Sequence, residues 1–74
     1  MIDDIIEIIA NELHIDIDDI SADTDIVWQL DADSLSIQTV IITLEDTFGI
    51  TVSDEAILSL RTPALIAEYI ENNS

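Results

Sequence analysis

The sequence predicts an all-α protein, a small four-helix bundle of three main helices and one short helix, with a long loop between the first and second. Three observations carry that expectation. Apolar residues recur at helical spacing in separate segments, capping signals frame those segments, and the only Gly and the only Pro fall at segment boundaries.

The first helix is expected over about residues 3 to 13, where Ile2, Ile5, Ile6, Ile9 and Leu13 form one stripe and Asp3 and Asp4 suit the positive end of the helix dipole. Residues 14 to 33 behave differently. Ile15-Asp16-Ile17-Asp18 alternates like a strand, but no second alternating run exists to pair with it. A long loop pinned to the core by Ile15, Ile17, Ile20, Ile26, Val27 and Leu30 is the expectation; a loop of this length in so small a chain either carries function or contains a short helical turn. The second helix runs from Ser34 to Phe48, with Ile37, Val40, Ile41, Leu44 and Phe48 in a stripe about 100° wide, and Gly49 ends it. Ser53 followed by Asp54 and Glu55 reads as the capped start of a short third helix reaching Leu58 to Leu60. Thr62-Pro63 starts the last helix, on which Leu65, Ile66, Tyr69 and Ile70 share a face; fraying is expected from Glu71 onward.

The totals bound the function. Seventy-four residues make one domain, 1–74, near the lower limit for independent folding, with little room for a deep cleft beside a core. A hydrophobic content of 49% separates it from disordered acidic tails. Seventeen Asp plus Glu against one Arg and no Lys give a net charge of -16. Such a surface repels nucleic acid and anionic lipid and favours partners that present Arg and Lys. It also favours diffuse binding of divalent ions. No Cys is present for disulfides, thiol chemistry or cysteine-ligated metal. No apolar run approaches the roughly 18 residues of a membrane span, and the acidic start Met1-Ile2-Asp3-Asp4 is unlike a signal peptide, so the cytoplasm is the expected location, or an organelle after loss of a transit segment.

On the wheel of the second helix, Leu35 and Ile42 lie nearly opposite the core stripe and form a candidate contact patch. Asp33 is placed as N-cap, leaving Ser34 in the first turn, where free N–H groups and the dipole favour a phosphate group. An Asp-Ser pair at a helix start is also an ordinary cap with nothing attached, and the residues alone leave both readings open.

The setting of that pair resembles the acyl carrier protein family. Asp33-Ser34-Leu35 after Leu30 and Ala32 resembles the family's attachment motif, Leu44-Glu45-Asp46-Thr47-Phe48-Gly49-Ile50 its second-helix end, and Ser53-Asp54-Glu55 and Thr62-Pro63 its later helix starts. The resemblance covers nearly the whole chain. It implies that Ser34, flanked by Asp33 and Leu35, receives 4'-phosphopantetheine from coenzyme A through a phosphopantetheinyl transferase, and that the arm's thiol holds acyl chains as thioesters. It further implies docking of basic-surfaced synthase and acyltransferase enzymes on Asp31, Leu35, Ile42, Glu45 and Asp46. An acyl-chain pocket between the second and third helices is implied too, lined by Ile37, Val40, Ile41, Phe48 and Ile57. A monomer without catalytic residues is expected, serving type II fatty acid biosynthesis or, alternatively, a polyketide or other specialised acyl-transfer pathway. Four departures bear on the pathway: Asp31 where fatty-acid members have Gly, Ser36 where they have an acid, uncharged Gln38 and Thr39 on the outer face, and Trp28 where a polar residue is usual.

Rival readings are weaker. A serine nucleophile needs a base and an oxyanion site, and no Gly-rich elbow surrounds Ser34. His14, the one His, suits a helix C-terminus and cannot build a zinc site alone. Asp16-x-Asp18 and Asp23-x-Asp25 begin like calcium loops but lack the Gly and Glu those loops require. Arg61 is expected to pair with a nearby carboxylate and Trp28 to tuck onto the bundle. An unmodified acidic adaptor would use the same charges, with no need of Asp-Ser-Leu at a helix start.

Overall fold

The computed structural model describes residues 1–73. Among them all regular structure is helical: α1 (Ile2–Leu13), a single 3-10 turn (Ile17–Asp19), α2 (Ser34–Phe48), α3 (Asp54–Ile57) and α4 (Pro63–Asn73). The expected bundle of three main helices and one short one is what forms. The alternating Ile15–Asp18 stretch becomes a turn, because a lone strand has no partner for its backbone groups.

Helix α1 packs against both α2 and α4 and buries Ile5, Ile6, Ile9 and Ala10, with Ile2 and Leu13 half-buried at its ends. It stops at His14, which adopts a left-handed conformation (φ 57°, ψ 45°) and donates its N–H to Ala10 O. Helix α2 contributes Val40, Ile41 and Leu44 to the core and ends at Gly49 (φ 66°), whose N–H bonds Glu45 O at 2.9 Å. Helix α4 begins beside Thr62, whose hydroxyl accepts from Leu65 N–H at 3.2 Å, and buries Pro63, Ile66, Ala67 and Ile70. The Tyr69 hydroxyl reaches Thr51 O at 3.3 Å and ties α4 to the segment after α2.

The long loop is held by short polar side chains that supply its missing backbone partners. Asp16 Oδ1 accepts from Asp18 N–H at 3.3 Å. Thr24, buried, accepts from Ser21 N–H at 2.8 Å. Asp25 Oδ1 accepts from Val27 N–H and Trp28 N–H, both at 2.9 Å, while Gln29 Oε1 reaches back to Asp25 N–H at 2.8 Å. The Asp25 carboxyl is held below its ordinary pKa first by the Trp28 N–H, then by the Val27 N–H and Arg61, with burial opposing. Its contribution is complete above the ordinary carboxylate range and is lost as pH falls through the lowered value. Two of the six anchors expected, Ile20 and Ile26, are buried; Ile15 and Leu30 are half-buried, and Ile17 and Val27 are exposed. The loop lies along the start of α4: Ile26 N–H bonds Arg61 O at 2.9 Å and Ala64 N–H bonds Ala22 O at 3.0 Å.

Four expectations need correction. Trp28 does not tuck onto the bundle but is 78% exposed, because the turn capped by Asp25 aims it outward. Leu65 is exposed rather than sharing the core face of α4. Helix α3 ends at Ile57, short of the Leu58 to Leu60 expected, and buries no residue of its own. Helix α4 does not fray at Glu71: it continues to Asn73, whose side-chain amide donates to Tyr69 O at 2.8 Å. Ser74 lies outside the described residues.

Asp31 occupies the left-handed region (φ 54°), where a side chain with a Cβ is strained and Asp is among the better tolerated. The chain bends there so that Ala32 N–H can reach Ile26 O at 3.1 Å and α2 can begin two residues later. Gly would take this conformation freely, and Asp31 takes it at some cost.

Two measurements test this packing. Ile41→Ala removes most of a side chain that is 4% exposed, and a urea melt is expected to show a loss of about 2–5 kcal/mol with an unchanged slope. Asp31→Gly is expected to raise the melting midpoint, by up to about 1 kcal/mol of stability once the added freedom of the unfolded chain is subtracted. A lowered midpoint would show that the Asp31 side chain holds the bend.

Candidate functional site

Ser34 opens α2 because Asp33 directs the chain into it. Asp33 keeps an extended backbone (φ -86°, ψ 173°), its Oδ1 accepts from Ser36 N–H at 2.8 Å, and its carbonyl accepts from Ile37 N–H at 3.0 Å. The N–H of Ser36 is the main reason the Asp33 carboxyl sits below its ordinary pKa, with the Ser36 hydroxyl and Leu35 N–H adding and burial opposing. Asp33 is therefore ionised at neutral pH and engaged with the helix end. Ser34 beside it is exposed, and among the described residues its hydroxyl has no hydrogen-bond partner. It is not activated by any base, so it is no nucleophile by itself. It can be esterified from outside without breaking a native contact. The helix mouth suits a phosphodiester there, since its backbone N–H groups and dipole favour negative charge.

Ser34 opens onto a groove of roughly 630 Å³ between the N-terminal half of α2, α3 and the long loop. Its walls are mainly apolar: Ile26 and Val27 from the loop, Leu35 and Ile37 from α2, Ile57, Leu58 and Leu60 from α3 and beyond. The structure thus brings Ile37 and Ile57 to the groove beside Ser34. The other three residues expected to line a pocket do not line this one. Val40 and Ile41 are buried in the core, and Phe48 is half-buried at the far end of α2. Sequence reasoning missed Ile26, Val27, Gln38, Leu58, Leu60 and Arg61 as lining residues. The signal for Ile26 was its place among the loop anchors. For Leu60 and Arg61 there was none, because their position depends on the loop bonding to the start of α4.

The expected docking residues separate into two groups. Leu35 and Ile42, 72% and 63% exposed, project from one side of α2, seven residues and nearly two turns apart. Leu58, 80% exposed, extends the apolar rim across the groove. Asp31 and Asp46 are exposed as well. Glu45 is different. Its Oε2 accepts from Val52 N–H at 2.8 Å and its carbonyl accepts from Gly49 and Ile50, so this side chain fastens the turn after α2 instead of standing free. Arg61 is paired with a carboxylate as expected: its Nε lies 3.2 Å from Asp25 Oδ2 and its Nη2 donates to Asp25 Oδ1 at 3.4 Å.

Other chemistry finds little support in the geometry. Among the described residues no group of three or more His, Asp or Glu is placed to hold a metal ion. Asp16, which begins one calcium-like stretch, and Asp25, the second acid of the other, are instead caps of their own turns. No helix among the described residues is long and apolar enough to cross a membrane.

Known proteins share this arrangement. The family profile described as "Phosphopantetheine attachment site" matches residues 3–70. An acyl carrier protein of Syntrophobacter fumaroxidans is 36% identical over 69 residues, covering 93% of this chain and 85% of its own length. One from Helicobacter pylori is 32% identical over 73 residues, covering 99% and 94%. The solved acyl carrier protein of Enterococcus faecalis superposes with a TM-score of 0.84 at 33% identity, covering 99% of this chain and 92% of that one. Matched in sequence and in fold along almost its full length, the chain belongs to the acyl carrier protein family, phosphopantetheine-bearing carriers that are not themselves enzymes.

Proposed function

We propose that residues 1–74 act as one acyl carrier domain, and that Ser34 is the residue that takes the phosphopantetheine arm. A phosphopantetheinyl transferase supplies the base that Ser34 lacks. The Ser34 oxygen forms a bond to the coenzyme A phosphorus that carries the pantetheine, the pyrophosphate bond breaks, the hydroxyl proton goes to the transferase base, and adenosine bisphosphate leaves. The observation that carries this reading is the exposed, unbonded Ser34 hydroxyl at the mouth of α2, opening on an apolar groove. Acyl groups held as thioesters on the arm would rest in that groove, with Ile37 and Ile57 against them and Val40, Ile41 and Phe48 reached only if the core parts.

Docking of basic enzymes, synthases and acyltransferases among them, is assigned to the α2 face. There Leu35 and Ile42 give the apolar contact, and Asp31 and Asp46 give electrostatic steering. The pathway proposed is type II fatty acid biosynthesis, with the protein acting as a cytoplasmic monomer. A specialised pathway is the second reading, favoured by one observation: Gln38 and Thr39 are exposed on that face and uncharged, and the Thr39 hydroxyl is turned to Leu35 O at 3.0 Å.

Incubation with coenzyme A and a promiscuous phosphopantetheinyl transferase is expected to add the mass of one phosphopantetheine, and Ser34→Ala, still helical by circular dichroism, is expected to add none. An unmodified wild type under these conditions would leave the acidic-adaptor reading in place of carriage. Charge reversal separates docking from folding. Asp46→Lys is expected to weaken binding to a basic partner enzyme severalfold at low salt, with the difference vanishing as salt screens it, and to leave the melting curve unchanged. Glu45→Lys is expected to cost about 1 kcal/mol of stability as well, because Val52 N–H loses its acceptor. Equal partner affinity for wild type and Asp46→Lys at low salt would remove the steering role.

A further inference from the structure

Arg61 is the sole Lys or Arg of the chain, and it is the one charged side chain in the lining of the groove that Ser34 opens. Its guanidinium is fixed from two sides. Asp25, itself anchored by the N–H groups of Val27 and Trp28, lies against its edge, and the Trp28 ring lies beneath it with the guanidinium carbon 5.9 Å from the ring centroid. A cation held over an indole face is stabilised by the ring's quadrupole and its flat orientation is constrained. This gives Trp28 a physical role despite its exposure.

The donors of Arg61 are nonetheless under-used. A guanidinium carries five N–H groups, and the hydrogen bond made here is the long one from Nη2 to Asp25. Nε is close to Asp25 Oδ2 but out of line with it, shielded from water and without a hydrogen-bond acceptor. The side chain is still 37% exposed, so its outer N–H groups remain accessible from the groove. The acceptor that suits them is a neutral oxygen rather than an anion. Asp25 already balances the Arg61 charge, Asp33 adds a second carboxylate near the Ser34 end, and the net charge of -16 opposes an incoming anion. A group tethered to Ser34 is confined to this neighbourhood at high effective concentration, so a hydrogen bond of ordinary strength is enough to hold it.

We propose that Arg61, braced by Trp28 and Asp25, is a cargo-recognition residue, donating hydrogen bonds to carbonyl oxygens of the arm on Ser34, or of an oxygen-bearing acyl group on that arm, when these fold into the groove. The proposal rests on Ser34 bearing the arm. It makes the groove selective: a 3-oxoacyl group finds a donor there that a saturated chain of equal length cannot use.

The test uses the full chain as wild type, Arg61→Gln and Arg61→Lys, each checked for helicity and carrying the arm alone, a hexanoyl group or a 3-oxohexanoyl group. Intact mass establishes loading first. The readouts are the rate of thioester cleavage by hydroxylamine, the rate of maleimide alkylation of the free arm thiol, and the emission of Trp28, the one Trp present. Arg61→Gln is expected to speed cleavage of the 3-oxohexanoyl form about threefold or more, the factor given by one hydrogen bond of ordinary net strength. Arg61→Lys, which keeps the charge and loses the planar fork, is expected to speed it too. If hexanoyl cleavage and thiol alkylation are unchanged, the recognised oxygen is the acyl group's; if all three reactions accelerate alike, it belongs to the amides of the arm. Identical cleavage and alkylation rates in all loaded forms of wild type and both variants would overturn the proposal, whatever Trp28 emission does, since either variant alters the group over that ring. Failure of the mass to rise would instead strike at Ser34 as the attachment point, and is read separately.

Discussion

The seam between the long loop and the start of α4 governs the arrangement of the site. Two backbone hydrogen bonds, from Ile26 N–H to Arg61 O and from Ala64 N–H to Ala22 O, join residues 35 and 42 positions apart, with Ile20 and Ile26 buried beneath. Backbone groups removed from water must find partners, and here the partners are on the other segment. From that seam follow the course of the loop into Asp31 and Ala32, the point at which Asp33 starts α2, and the wall of the groove opposite Ser34. Arg61 also owes its position to the seam, since its own carbonyl is one of the acceptors. A strain or deletion at this junction is felt at Ser34 without touching it.

The second constraint is charge. At -16 the surface resists compaction, and what opposes it is a core built almost entirely from branched aliphatic side chains, with Ile5, Ile9, Ile26, Leu44, Ile66 and Ile70 fully shielded. Thr24, the buried polar residue of the core, is satisfied by Ser21. The acids are not idle. Asp16, Asp25 and Asp33 each accept backbone N–H groups at the start of a helical turn, where the dipole favours them. Part of the negative charge thus specifies where helices begin, and Glu45 specifies how one is followed.

Local signals made much of this legible in the sequence. The 3.6-residue stripes of α1 and α2, the Asp33, Ser53 and Thr62 caps and the Gly49 stop each depend on a few neighbouring residues, and each lies where the spacing places it. The structure also puts Ile37 and Ile57 beside Ser34, while Val40, Ile41 and Phe48, expected with them, lie elsewhere. What the sequence concealed depends on contacts between distant segments. Trp28 reads as a core residue by composition, and only the turn capped by Asp25 sends it outward. Glu45 reads as a free surface acid until Val52 is seen to fold back onto it. Leu65 lies on the apolar side of an idealised wheel, yet no neighbouring element covers it. Asp31 looked like a departure affecting partners and is first a backbone requirement at positive φ.

Helix α3 has a consequence of its own. It is one turn long, has no fully buried residue, and is held by the Ser53 cap and by half-buried Ala56 and Ile57 against the core. An element so thinly attached swings or melts at a small fraction of the free energy that unfolds the whole chain. The groove therefore has one hard bank, formed by α2 and its neighbours, and one yielding bank. The side of the groove that costs least to displace is therefore the one formed by α3.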